Sequence, residues 1–215
     1  MYQQKNYQEL LKKLSIHDET RQKERILMNN KIIYIHDWLG KGFDIKASYL
    51  QQMFPDYEVI APTIPEDPTE AIDMLCNIME SYEEGYDVCI VGHGLGGYYA
   101  ERLSSIYKRP SILINPLVDI NDMELFLGRN TNYNTGKQYE LTFEGIDVLE
   151  KFGTMEKRTY DPLVLLNVDD ELLDQQKTIS KYLNSCIAYD GGNHSFIGIV
   201  KSRPFIEEYL ESCVL

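Results

Sequence analysis

A chain of 215 residues is long enough for one domain with a full core and too short for two ordinary ones. Its net charge of −13 excludes the basic surface that nucleic acid requires and disfavours an anionic membrane surface. The 43% hydrophobic and 26% charged fractions are ordinary for a soluble folded protein, so disorder is not expected. No apolar run approaches a membrane span, and the polar segment Met1–Lys13 lacks the apolar centre of a signal peptide. Cys76, Cys89, Cys186 and Cys213 match no zinc or CxxC spacing and fall inside apolar patterns. Buried free thiols in a reducing, cytoplasmic compartment are the expectation.

Residues 1–30 read as an N-terminal helical extension, with Tyr7, Leu10, Leu11 and Leu14 at helical spacing. A single α/β domain is expected over 31–215. Its first strand is Lys31–His36, followed by a helix from Asp44 to about Met53 and a strand at Tyr57–Ala61. Asp67 before Pro68 is a helix start, Ile72, Leu75, Cys76, Met79 and Tyr82 give that helix an apolar face, and Gly85 is its stop. A buried strand at Asp87–Val91, a glycine-rich turn at Gly92–Gly97 and a helix from Tyr98 to Tyr107 follow. Ser111–Asn115, Pro162–Asn167 and Ser185–Tyr189 read as further strands, with helices at Leu173–Leu183 and Pro204–Glu211. Residues from about 117 to 160 read as an irregular lid insertion over the sheet edge. The alternation predicts a mostly parallel, doubly wound sheet of about six strands with flanking helices.

Ligands of such sheets bind at the carboxyl ends of the strands, which singles out the residues just after each one. Gly92-His93-Gly94-Leu95-Gly96-Gly97 between a strand and a helix has the context of a nucleophile elbow, in which position 94 projects into the pocket. The same residues fit a dinucleotide fingerprint, but they follow the third strand, and Asn115-Pro116 stand where a ribose-binding acid would be needed. Asp170 and His194 follow the next two strand ends in the order elbow, acid, histidine. An aspartate there fixes the imidazole tautomer. Asp169, Glu171 and Asp174 are alternatives for the acid. The amides of Leu95 and Trp38 are the candidates for an oxyanion hole, and His36, Asp37 and His93 are candidate pocket residues. A metal held by His36, Asp37 and His194 is disfavoured by their spacing, so neither a metal nor a cofactor is expected.

From Lys31 onward the chain resembles the YqiA/YcfP-like esterases of the α/β-hydrolase superfamily. The resemblance rests on IYIH, VGHGLGGYYAERL, INPLV, NYNTGKQYEL, DDELLD and GGNHSF. It implies the α/β-hydrolase fold and hydrolysis of a small acyl ester or a thioester-like ligand. The family's acid and base match Asp170 and His194, and its serine matches position 94. Here that residue is Gly94, and Asp37 replaces the glycine of the family's His-Gly turn.

Without the serine oxygen, ester hydrolysis should be lost or severely reduced, as removing a catalytic serine elsewhere costs about a millionfold in turnover. Glycine relieves backbone strain at an elbow and is expected to leave a small void beside His194. The readings left open are a pocket that binds an acyl ligand, a hydrolase whose His194 and Asp170 activate water, an engineered knockout, and a non-catalytic partner-binding protein. Tyr133 and Tyr139 in the lid are possible pocket aromatics.

Overall fold

Strand β1 (Asn30–Ile35) sits inside the sheet and sends its side chains alternately to the two faces. Ile33 and Ile35 enter one core and Ile32 and Tyr34 the other, all of them buried. The same alternation governs β3 (Asp87–His93), where Val88 and Ile90 face one side and Cys89 and Val91 the other. A strand buried on both faces needs apolar residues at every position, which is why these segments read as continuous apolar runs. The computed structural model describes residues 30–82, 87–152 and 158–213.

The remaining sheet strands are β2 (Glu58–Ile60), β4 (Ser111–Ile114), β7 (Leu163–Asn167) and β8 (Cys186–Tyr189). The six strands run in the order β2-β1-β3-β4-β7-β8, every neighbouring pair parallel. Helices α2 (Pro68–Ser81) and α3 (Leu95–Tyr107) cover one face with Leu75, Met79 and Leu103. Helices α1 (Ile45–Met53) and α6 (Arg203–Cys213) cover the other with Leu50, Met53, Ile206 and Leu210. The predicted doubly wound sheet is therefore present. Asp44 and Asp67 cap α1 and α2 through their carboxylates, with Pro68 in the first turn of α2.

Three expectations change. The glycine-rich turn is shorter than read, because β3 continues through His93 and α3 starts at Leu95, leaving Gly94 alone as the bend. The lid is ordered. It contains a 3-10 helix (Ile120–Phe126), an antiparallel hairpin of β5 (Gly128–Thr131) and β6 (Gln138–Leu141), and α4 (Phe143–Lys151). It packs over the carboxyl ends of the central strands, because Asn132 bonds Gly40 O and Glu66 Oε1 on the loops after β1 and β2. The four cysteines are free, but only Cys89 is fully buried. Helix α5 (Gln175–Lys181) lies between β7 and β8 in sequence. The helix expected over residues 1–30 lies outside the described residues except for Asn30, which opens β1, and the stop at Gly85 lies outside them too. No helix among the described residues is long and apolar enough to cross a membrane.

Candidate active site

The elbow is built by close backbone approach. A Cβ on Gly92 would overlap the backbone of Gly96, and a Cβ on Gly96 would overlap the carbonyls at the end of β1. Gly94 takes φ 55° and ψ −122°, a conformation that disfavours any side chain. Its N–H donates to Ile114 O at 3.1 Å, which ties the bend to β4. A sharp strand-to-helix bend is thus present, with a residue that has no side chain at its tip.

The space in front of Gly94 is filled. A Cβ placed there would overlap the carboxylate of Asp37, which arrives from the loop after β1. Asp37 Oδ1 accepts the Leu95 N–H at 2.8 Å, and Oδ2 accepts from His194 Nε2 at 2.9 Å. Those are the two groups that catalysis at an elbow would use, Nε2 to accept the nucleophile's proton and the amide to donate to the oxyanion. The void expected beside His194 is therefore occupied by a carboxylate pointing inward.

His194 lies on the loop after β8, and its Nδ1 donates to Asp170 Oδ2 at 2.8 Å. Asp170 is further fixed by the N–H groups of Leu172 and Leu173 and by Gln175 Nε2. Of the alternative acids, Glu171 accepts the His194 N–H and Asp174 caps α5, so the imidazole contact belongs to Asp170. Burial alone lowers the pKa of His194, but the hydrogen bonds and charges of Asp170 and Asp37 outweigh it and raise it to about 10. Burial raises the pKa of Asp37, but the His194 contact and the neighbouring rings hold it well below the usual carboxylate range. The resting arrangement is an imidazolium between two carboxylates, with no lone pair on Nε2 to act as a base.

His36 and His93 do not line the pocket. His36 Nε2 accepts the Ile64 N–H at 2.8 Å, so its Nδ1 carries the proton and donates to Asp37 O at 2.6 Å. Both ring nitrogens are used to clamp two loops, which overturns its expected place in the pocket. His93 lies beneath His194 with ring centroids 4.8 Å apart, and its Nε2 donates to the His194 carbonyl at 2.8 Å. Burial lowers its pKa to about 4, so it is neutral. The possible metal-holding group among the described residues is Asp37, His93 and His194, with ligand atoms within 4.8 Å of one another. His93 takes the place the sequence reading gave to His36.

A cavity of about 230 Å³ opens in front of this centre. Its walls are Trp38, Leu117, Met123, Phe126, Leu172 and Leu173, and Asp37 and His194 supply polar groups. Trp38 meets Phe126 edge-on at 5.7 Å and anchors its indole N–H on Glu66 O at 3.3 Å. Tyr133 is 93% exposed, and Tyr139 donates to Asp67, so neither lid tyrosine lines the cavity.

Sequence reasoning missed the polar frame behind His194. Asn115 is fully buried at φ 38° and donates to the carbonyls of Asn193 and His194 at 3.1 and 2.9 Å. Its Oδ1 accepts the Asn167 N–H at 2.8 Å. Lys46 reaches from α1 to Ser195 O at 3.0 Å. The only sequence signal for Asn115 was its position at a strand end.

Comparison with known proteins places this chain in a family. Residues 31–211 match the uncharacterised protein family UPF0227. A UPF0227 protein of Shewanella baltica strain OS195 is 26% identical over 187 residues, covering 83% of this chain and 98% of its own. A UPF0227 protein of Yersinia pseudotuberculosis serotype O:1b is 28% identical over 153 residues, covering 68% and 79%. Among solved structures, Est1E from Butyrivibrio proteoclasticus superposes with a TM-score of 0.67 at 14% identity, covering 85% of this chain and 89% of its own. Mouse alpha/beta hydrolase domain-containing protein 10 gives 0.62 at 14% identity, covering 86% and 90%. These likenesses establish the α/β-hydrolase fold, and the chain belongs to the UPF0227 family.

Proposed function

We propose that this chain uses an α/β-hydrolase pocket to bind a small acyl ester or thioester-like ligand, and that serine-type ester hydrolysis is lost. The observation that carries the reading is the Asp37 carboxylate in front of Gly94, bonded to both His194 Nε2 and the Leu95 amide. No nucleophilic hydroxyl stands there, and the amide that would stabilise an oxyanion already holds a negative charge. Direct activation of water by His194 is disfavoured by the same contact, since Nε2 keeps its proton for Asp37. A serine at 94 would require the Asp37 carboxylate to swing aside.

The cavity is small beside the several hundred Å³ of typical ligand pockets, and its walls are mainly apolar. A neutral ligand fits best, because the inward carboxylate repels an acid. Trp38, the one tryptophan of the chain, lines the cavity and reports occupancy by its fluorescence. The test is p-nitrophenyl butyrate hydrolysis by the protein, by Gly94→Ser and by Asp37→Gly/Gly94→Ser, with Trp38 fluorescence titrated against ethyl butyrate. Only the double variant should turn over, and His194→Ala should remove that activity. Turnover by the unmodified protein that His194→Ala abolishes would overturn the reading.

A further inference from the structure

We propose that Asp37, His93 and His194 form a binding site for one transition-metal dication of the zinc class on the floor of the apolar cavity. The inference goes beyond ligand binding and stands on its own observations. Two imidazoles and one carboxylate offer ligand atoms within 4.8 Å of one another, a spread that small side-chain shifts bring to one ion. This donor set suits zinc and its neighbours better than calcium or magnesium, which prefer oxygen alone.

The outer contacts carry the argument further. Metal-binding histidines donate their second ring nitrogen to a carboxylate or a backbone carbonyl, which fixes the tautomer and aims the first. Both histidines do so here. His194 Nδ1 donates to Asp170, and the ion takes the place of the proton that Nε2 shares with Asp37 in the metal-free protein, so binding releases one proton. His93 Nε2 donates to the His194 carbonyl, leaving Nδ1 as its available nitrogen. The Asp37 carboxylate is likewise oriented, its Oδ1 accepting the Leu95 N–H.

Charge is favourable as well. Asp37 and Asp170 together offset a dication, and the nearby cation Lys46 is already balanced by Asp44 at 3.6 Å. Access exists, because the Asp37 side chain is 28% exposed and faces the cavity. Three protein ligands leave a coordination position open toward that cavity.

The test uses untagged full-length protein stripped with chelator, titrated with Zn(II) by calorimetry and with Co(II) by visible absorption. One equivalent should bind, Co(II) should give the strong bands of a low-coordinate site, and Asp37→Ala should weaken affinity by at least about tenfold. Asp170→Asn should weaken it by roughly ten- to a hundredfold through the outer contact. His93→Gln removes a ligand, and thermal melting checks that it folds. Asp37→Ala alters a partly exposed side chain and keeps the test decisive if His93→Gln does not fold. Absence of saturable binding, or binding unchanged in Asp37→Ala, overturns the site, since the metal would then sit on thiols or surface groups.

Discussion

The Asp37 carboxylate lies where a side chain on Gly94 would have to lie, so the identities of these two positions are tied across 57 residues of sequence. Gly94 opens the space, and Asp37 closes it with hydrogen bonds to His194 and Leu95. Neither residue keeps its surroundings if the other changes alone.

The coupling is measurable. Gly94→Ala forces the carboxylate out and adds a Cβ at positive φ, which together should cost about 2–4 kcal/mol. In an Asp37→Gly background the steric part disappears and only the backbone strain, about 1–2 kcal/mol, remains. Urea unfolding of the four proteins gives the coupling energy. Additive losses would mean that the two residues do not share this space.

The lid gives a second prediction. Asn132 is fully buried, donates to Glu66 and Gly40 O, and accepts from the Asn134 and Thr135 amides. Asn132→Ala strips partners from both loops and should cost roughly 1–3 kcal/mol. Hydrogen exchange should quicken across β5 and β6 while β1 and β3 keep their protection. Uniform loss of protection would show that the lid is not a separate unit.

Acid sensitivity should come from Glu101 on α3. It is 3% exposed, accepts from Tyr182 at 2.5 Å and Lys181 at 2.7 Å, and pairs with Arg158. Burial raises its pKa, but these partners outweigh burial and hold it below the ordinary 4.5. A depressed folded pKa gives stability that is complete above the unfolded value and is lost as pH falls through the folded one. Glu101→Gln should therefore cost roughly 3 kcal/mol near neutral pH and flatten the decline below about pH 4.5. An unchanged acid limb in urea unfolding from about pH 3 to 7 would remove Glu101 from the explanation.

What the sequence disclosed was local. Apolar runs marked β1, β3, β4, β7 and β8, Asp67-Pro68 marked the start of α2, and the order of elbow, Asp170 and His194 marked the sheet edge. The strand reading stopped at Val91 because Gly92 and His93 are not apolar, yet the period of two carries His93 onto the face of Cys89 and Val91, under His194. The lid read as irregular because its Asn, Thr and Gly residues are turn formers, and they serve as one in the hairpin, where the Asn132 N–H bonds Lys137 O. The sequence marked Asp37 and Gly94 as two departures from the family pattern, but that one side chain fills the space in front of the other depends on where the loop after β1 returns in space.

The frame behind His194 supplies the last prediction. From the end of β4, Asn115 reaches two other backbone segments, donating to the Asn193 and His194 carbonyls and accepting the Asn167 N–H. Asn115→Ala should cost roughly 1–3 kcal/mol and let the His194 loop move, because the Asn167 amide loses its acceptor and the two carbonyls each lose one of their donors. Asn115→Asp should be worse at neutral pH, since a carboxylate cannot donate to the two carbonyls and adds buried charge. The informative comparison is between the isosteric acid and alanine. Nuclear magnetic resonance of the His194 ring should show its Nδ1 proton, held by Asp170 at 2.8 Å, exchanging faster in both variants. If that proton stays protected while stability falls, Asn115 supports the sheet edge without positioning His194, and the hydrogen bonds of Asp170 and Glu171 suffice to hold the loop.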